Sequence, residues 1–174
     1  MLKAIVCVDK NWAIGRDNGL LFNIAEDMRF FRLMTKDQIV FCGRKTLLSF
    51  PDSKPLKNRS TICLCSDGYD RDDCYCIHDF NQAVKLVLEL AKTQNVYVIG
   101  GGMLYEAMLP YCEEVHVTKV DADGNGTVFF PCLDISPEFV LANETDIMEE
   151  MGYRFKFCVY KKQVRDNDQK ANKM

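Results

Sequence analysis

Strand-like and helix-like segments alternate along most of this chain, and that alternation limits its possible folds more than any other feature. An apolar run over residues 2–8 predicts a first strand, and a long loop then leads to Asn23 and a helix reaching about Thr35. A strand over 38–42, a helix opening at Gly43 and a Pro51-Asp52-Ser53-Lys54-Pro55 turn come next. Strands near 60–65 and 74–77 precede a helix from Asp79, where Asp79 and Gln82 form a capping pair ahead of Ala83, Val84, Val87, Leu88 and Ala91. The apolar strand Val96-Tyr97-Val98-Ile99 meets Gly100-Gly101-Gly102 and a brief helix followed by Pro110. This order predicts an α/β domain with a mainly parallel sheet flanked by helices. Residues 114–120 and 153–160 alternate apolar with polar, as antiparallel or edge strands do, so the sheet is expected to be mixed.

A length of 174 residues, 48% of them hydrophobic, supports one core and therefore one domain, placed at 1–162. Residues 163–174 are too polar to bury surface and are expected to form a tail. The formal net charge of -3 gives no global field for nucleic acid or an anionic membrane. The first residues run straight into a strand pattern without a cleavable signal, and the expected location is cytoplasmic. Nine cysteines, an odd number and mostly inside strand-like runs, read as reduced thiols. The Cys63-x-Cys65 and Cys74-x-Cys76 pairs have too short a spacing for a zinc bite, and no metal is expected.

Asp27 is the residue out of place. At 3.6 residues per turn it shares a face with Ile24, Met28, Phe31 and Thr35, while Glu26, Arg29 and Arg32 point away. An ionised acid on an apolar face, with no base on its stripe, suits a ligand that brings the partner. Equally, Asn23 with Glu26 resembles a capping box, and Asp27 would then merely favour the helix dipole.

Two strand-to-helix junctions suit anions. Gly100-Gly101-Gly102 exposes bare backbone N–H groups at a helix start, or else makes a tight packed turn. Gly43-Arg44-Lys45-Thr46 places two cations in a helix's first turn, where the dipole disfavours them unless something negative binds; the plain alternative is two solvated side chains. Two separate anion sites at strand ends suit a dinucleotide with a pyrophosphate and an extra phosphate, which describes NADPH better than NADH.

Taken in order, Ile14-Gly15, Asn18-Gly19, Asp27, Phe31, Thr35, Gly43-Arg44-Lys45-Thr46, Ser49, Leu56, Arg59, Ile99-Gly100-Gly101-Gly102-x-x-Tyr105, Leu109-Pro110, Thr118 and Phe130-Pro131 resemble dihydrofolate reductase across nearly all of residues 2–160. The resemblance implies an eight-stranded sheet with an antiparallel last strand, and NADPH-dependent reduction of 7,8-dihydrofolate to tetrahydrofolate. It assigns Asp27, aided by Thr118, to the pterin's N3 and 2-amino group, with Ile5, Val6, Met28, Phe31, Phe50, Leu56 and Ile99 around the rings. Arg59 would grip the glutamate carboxylate. Val6, Cys7, Ile14, Gly15, Asn18 and Leu20 would lie near the nicotinamide, and Gly100, Gly101, Gly102, Met103, Leu104 and Tyr105 near the pyrophosphate. Gly43, Arg44, Lys45, Thr46 and Ser66 would hold the adenosine end with its 2'-phosphate. The Gly100-Gly101 peptide would be cis. Hydride would pass to pterin C6 and a proton to N5, carried by water admitted past the Leu20 loop. Antifolate inhibitors would compete at the same place, and the chain is expected to be a monomer.

Three positions depart from the family pattern. Leu21-Phe22 replaces a common Pro-Trp pair and removes an indole N–H near the acid, which bears on proton delivery and on Phe22. Thr127 stands where many relatives have Asp, and Met103 where some have a base. These changes leave two other readings open: a weakly catalytic nucleotide-binding protein of the same fold, and a related reductase of riboflavin synthesis. Neither needs both Asp27 and Arg59.

Overall fold

The computed structural model describes residues 1–164. Eleven strands are present: β1 (Leu2–Val8), β2 (Ala13–Gly15), β3 (Ile39–Gly43), β4 (Ser60–Leu64), β5 (Tyr75–Ile77), β6 (Val96–Val98), β7 (Glu114–Val120), β8 (Val128–Phe129), β9 (Phe139–Glu144), β10 (Met148–Glu150) and β11 (Tyr153–Lys162). Four helices accompany them: α1 (Ala25–Thr35), α2 (Arg44–Ser49), α3 (Phe80–Ala91) and α4 (Gly102–Met108). The main sheet runs β10-β11-β7-β1-β6-β3-β4-β5, eight positions wide, and β9 shares the β10 position along β11. Pairing is parallel from β7 through β5, and β11 joins β7 antiparallel, as the alternation over residues 153–160 predicted.

The period-2 pattern of β1 explains how one strand serves two layers. Leu2, Ala4, Val6 and Val8 pack into the core beneath α3 and α4, with Val84, Val87, Leu104 and Met108. Ile5 points the other way, into a second cluster with Val40, Cys42, Leu47, Tyr97 and Ile99. Burial on both faces is what a central parallel strand requires. Asp79 caps α3 as its sequence suggests, accepting the Gln82 N–H at 2.8 Å.

The capping box that Asn23 and Glu26 resemble does not form. Ile24 holds the cap position and is buried against Val120 and Phe155, so its side chain gives the helix no acceptor. Glu150 supplies one from the sheet edge: its carboxylate accepts the Ala25 and Glu26 N–H groups at 2.9 and 3.0 Å. Glu150→Ala is expected to lower stability by about 1 kcal/mol, read as a lower urea midpoint; an unchanged midpoint would show that water replaces the carboxylate fully.

The long loop after β1 is also more ordered than its sequence suggests. Asp9 is buried and its carboxylate accepts the N–H groups of Asn11, Ala13 and Gly124, at 2.8, 2.9 and 3.0 Å. β2 then pairs with β8, and Thr127 donates its N–H to the Gly15 carbonyl at 2.9 Å. The polar segment expected over 163–174 lies outside the described residues from 165 onward; Gln163 donates its N–H to Glu138 at 2.8 Å.

Candidate active site

The first turn of α1 hangs Asp27 over the ends of β1 and β7. Cys7 and Thr118 are register partners on those strands, so their side chains rise side by side toward the helix. Thr118 donates its hydroxyl to Asp27 Oδ1 at 2.6 Å. The Cys7 thiol is within hydrogen-bonding reach of the same carboxylate. Burial pushes the Asp27 pKa up, and these two donors pull it only part of the way back. Burial and the adjacent Asp27 charge raise the Cys7 pKa, which keeps it a thiol and a donor at neutral pH.

Among the described residues no Lys, Arg or His forms an ion pair with Asp27. Lower on the same sheet face Lys3 is already paired with Glu114 at 3.3 Å, and His116, whose pKa burial lowers, has its Nε2 2.6 Å from the same carboxylate. The acid is therefore partly withdrawn from water, with hydroxyl and thiol donors but no cation. A ligand edge carrying two N–H donors would complete it.

Beside Asp27, the side chains of Ile5, Phe31, Phe50, Leu56 and Ile99 gather in one apolar cluster. Met28 is 37% exposed and stands at the rim. Val6 does not line this wall: period 2 turns its side chain to the opposite sheet face, into the α3–α4 core, and leaves only its backbone on the cleft side. Arg59 lies at the far end of α1, where its Nε donates to Thr35 Oγ1 at 3.1 Å and its Nη atoms to the Lys57 and Arg32 carbonyls at 2.6 and 3.4 Å. A guanidinium fixed by neutral acceptors keeps its charge for an incoming anion.

The two strand-to-helix junctions are joined. Gly43 donates its N–H to the Gly100 carbonyl at 2.8 Å, so the glycine run and the Arg44-Lys45 turn make one rim. The Gly100–Gly101 peptide is cis. A side chain at Gly101 would meet Thr46 Oγ1 at 3.3 Å, and one at Gly102 would meet Val128 at 2.5 Å, so the bare backbone is needed here. Leu104 and Tyr105, expected at the pyrophosphate, are buried instead; Tyr105 donates its hydroxyl to the Ile5 carbonyl at 2.7 Å and supports the rim from beneath. Met103 is 89% exposed and contributes backbone.

Lys45 and Ser66 are exposed, whereas Arg44 pairs with Asp67 and lies 4.3 Å over the Tyr69 ring. Opposite this end, Ile14 packs against the core, Gly15 closes on Gly19, Asn18 has a positive φ, and Leu20 is 71% exposed. Leu21 fits over Gly124 and Gly126, and Phe22, partly buried, packs edge-on against Tyr153 at 5.1 Å.

Sequence reasoning missed the Asp67 partner of Arg44, the Glu150 cap, the Asp9 clamp and the Cys7–Asp27 contact. Register, once β1 and β7 are known to be neighbours, would have found the last. Among the described residues no group of three or more His, Cys, Asp or Glu side chains is placed to hold a metal ion.

The sequence model of the dihydrofolate reductase family matches residues 1–162. The chain is 30% identical over 163 residues to the dihydrofolate reductase of Staphylococcus haemolyticus, covering 92% of this chain and 95% of that protein. It is 29% identical over 165 residues to the enzyme of Bacillus subtilis (strain 168), covering 93% and 95%. A dihydrofolate reductase from Enterococcus faecalis, solved in complex with NADP(H) and RAB-propyl, superposes with a TM-score of 0.82 at 24% identity, covering 94% of this chain and 97% of that one. That likeness shows a shared fold.

Proposed function

The chain belongs to the dihydrofolate reductase family and its reaction is the NADPH-dependent reduction of dihydrofolate, and from that premise we propose that the reaction runs in the cleft between Asp27 and the Gly100–Gly102 rim. The observation that carries this reading is a partly buried carboxylate with no protein cation, whose raised pKa marks an unmet partner. The pterin's amidine-like edge meets that need by offering N3–H and a 2-amino group to Asp27, and Thr118 holds the carboxylate in the plane that receives them. Ile5, Phe31, Phe50, Leu56 and Ile99 then sandwich the flat rings, and Arg59 takes the glutamate carboxylate with its planar fork.

The rim fits NADPH on two counts. Gly102 leaves backbone where a Cβ would come within 2.5 Å of Val128, and Arg44 Nε is buried without a hydrogen-bond partner. Gly100, Gly101 and Gly102 would hold the pyrophosphate; Gly43, Arg44, Lys45, Thr46 and Ser66 the adenosine 2'-phosphate; Cys7, Ile14, Gly15, Asn18, Leu20 and the Val6 backbone the nicotinamide. When bound, NADPH supplies the hydride that goes to pterin C6. The protein's share is placement: Asp27 fixes the pterin's orientation, and the apolar wall keeps bulk water off the reacting carbon. Leu20, exposed at the mouth of the cleft, admits the water that carries a proton to N5, while Phe22 anchors its loop against Tyr153.

Among the described residues no helix is long and apolar enough to cross a membrane. All nine cysteines are unpaired, the state that a reducing cytoplasm maintains, and the reading places a monomer there. Antifolates with a similar N–H edge would compete for Asp27.

The test is NADPH oxidation followed at its absorbance. Loss of signal is expected only when dihydrofolate is added; NADPH binding without turnover at any pH would overturn the proposed site chemistry.

A further inference from the structure

The residues after β4 run Ser66-Asp67-Gly68-Tyr69-Asp70-Arg71-Asp72-Asp73, four acids and one base directly beside the Arg44-Lys45 turn. Two of those acids are engaged within their own region: Asp70 with His78 at 3.2 Å and Asp73 with Arg71 at 2.6 Å. Asp67 reaches out, pairing its Oδ2 with Arg44 Nη1, and the turn holds it there because Oδ1 accepts the Tyr69 N–H at 3.4 Å. Tyr69 in turn covers one face of the guanidinium. The edge of Arg44 best suited to an anion is thus already facing a carboxylate, while its Nε has no acceptor.

From this arrangement we propose that Asp67 is a cofactor-selectivity residue, competing with the 2'-phosphate for Arg44 and so weakening the preference of this enzyme for NADPH over NADH. The inference rests on the reading that the 2'-phosphate docks at Arg44 and Lys45. Both partners of the pair are partly exposed, so the pair itself is weak and yields to a phosphate carrying up to two charges. What persists after it yields is repulsion. The Asp67 carboxylate stays tethered by a two-residue turn next to the bound phosphate, and NADH, with a 2'-hydroxyl, does not meet that penalty. Nothing in the sequence around Arg44 signals this, since the opposing charge arrives from a different strand end.

Steady-state KM values for NADPH and NADH are to be compared in the wild type, Asp67→Asn, Arg44→Ala and the double variant. Asp67→Asn is expected to lower the KM for NADPH by about three- to tenfold and to move that for NADH much less, with the difference shrinking near about 1 M salt, where screening is nearly complete. In the Arg44→Ala background the Asp67 change should lose most of its effect. A KM for NADPH that is unchanged or raised in Asp67→Asn overturns the inference, because Asp67 would then be neutral or a positioner of Arg44. If Arg44→Ala leaves the NADPH to NADH ratio at its wild-type value, it is the placement of the phosphate at Arg44 that fails.

Discussion

Asp27→Asn is expected to cut turnover at neutral pH by about 10²- to 10⁴-fold while NADPH affinity stays within about twofold, read from kcat and from cofactor titration. Asparagine keeps the shape and can still accept from Thr118, so the loss isolates the charge. An amide cannot accept both pterin donors without presenting one of its own N–H groups to them. The sign for stability is opposite. A carboxyl whose pKa is raised by folding binds its proton more tightly in the folded state, so its ionisation costs stability as pH rises through the folded value. Asp27→Asn should therefore melt at or above the wild-type temperature at neutral pH. Equal loss of activity and stability would mean that Asp27 is a structural acid.

The second large effect concerns the rim. Gly100→Ala should destabilise the protein by about 1–3 kcal/mol from its backbone conformation alone, because Gly100 has φ +113°, and further through crowding. The new Cβ would lie 3.1 Å from the Tyr105 ring, which is buried and cannot retreat while its hydroxyl holds the Ile5 carbonyl. The Gly100 carbonyl also accepts the Gly43 N–H, so a shift at Gly100 pulls on both halves of the cofactor rim. NADPH affinity should fall along with the urea midpoint. Gly68→Ala is the control: Gly68 also has positive φ, +78°, but nothing lies within 4 Å of its Cβ position, so its loss should be the smaller of the two. A Gly100→Ala variant as stable as wild type would show that the rim adjusts without strain.

How far the sequence carried this reading depends on the range of the interactions. Elements written by local pattern were legible: β1 by its apolar run, β7 and β11 by alternation, α3 by its apolar spacing and the Asp79 cap. The strands outside β11 were not: β9 is largely exposed although Phe139, Val140 and Leu141 are apolar, and its existence depends on β11 offering a row of partners. Nor could the α1 cap be read, since Glu150 lies more than a hundred residues away and displaces a plausible local box. Asp27 was visible because a charge on an apolar face contradicts its own helix pattern. Its surroundings were not, because Thr118 and Cys7 reach it only through the register of β7 with β1. Val6, which the resemblance placed around the rings, follows Ile5 in sequence and so turns its side chain to the other face of the sheet.

The role of Asp27 depends on a partly buried carboxylate that has no protein cation and waits for a ligand's N–H donors. The most direct measurement is the titration of the Asp27 carboxyl carbon by NMR in the ligand-free protein, identified by its absence from Asp27→Asn. The structure predicts a midpoint clearly above that of an exposed aspartate; a midpoint at or below the ordinary value would show a solvated or cation-paired acid and would contradict the role assigned to Asp27.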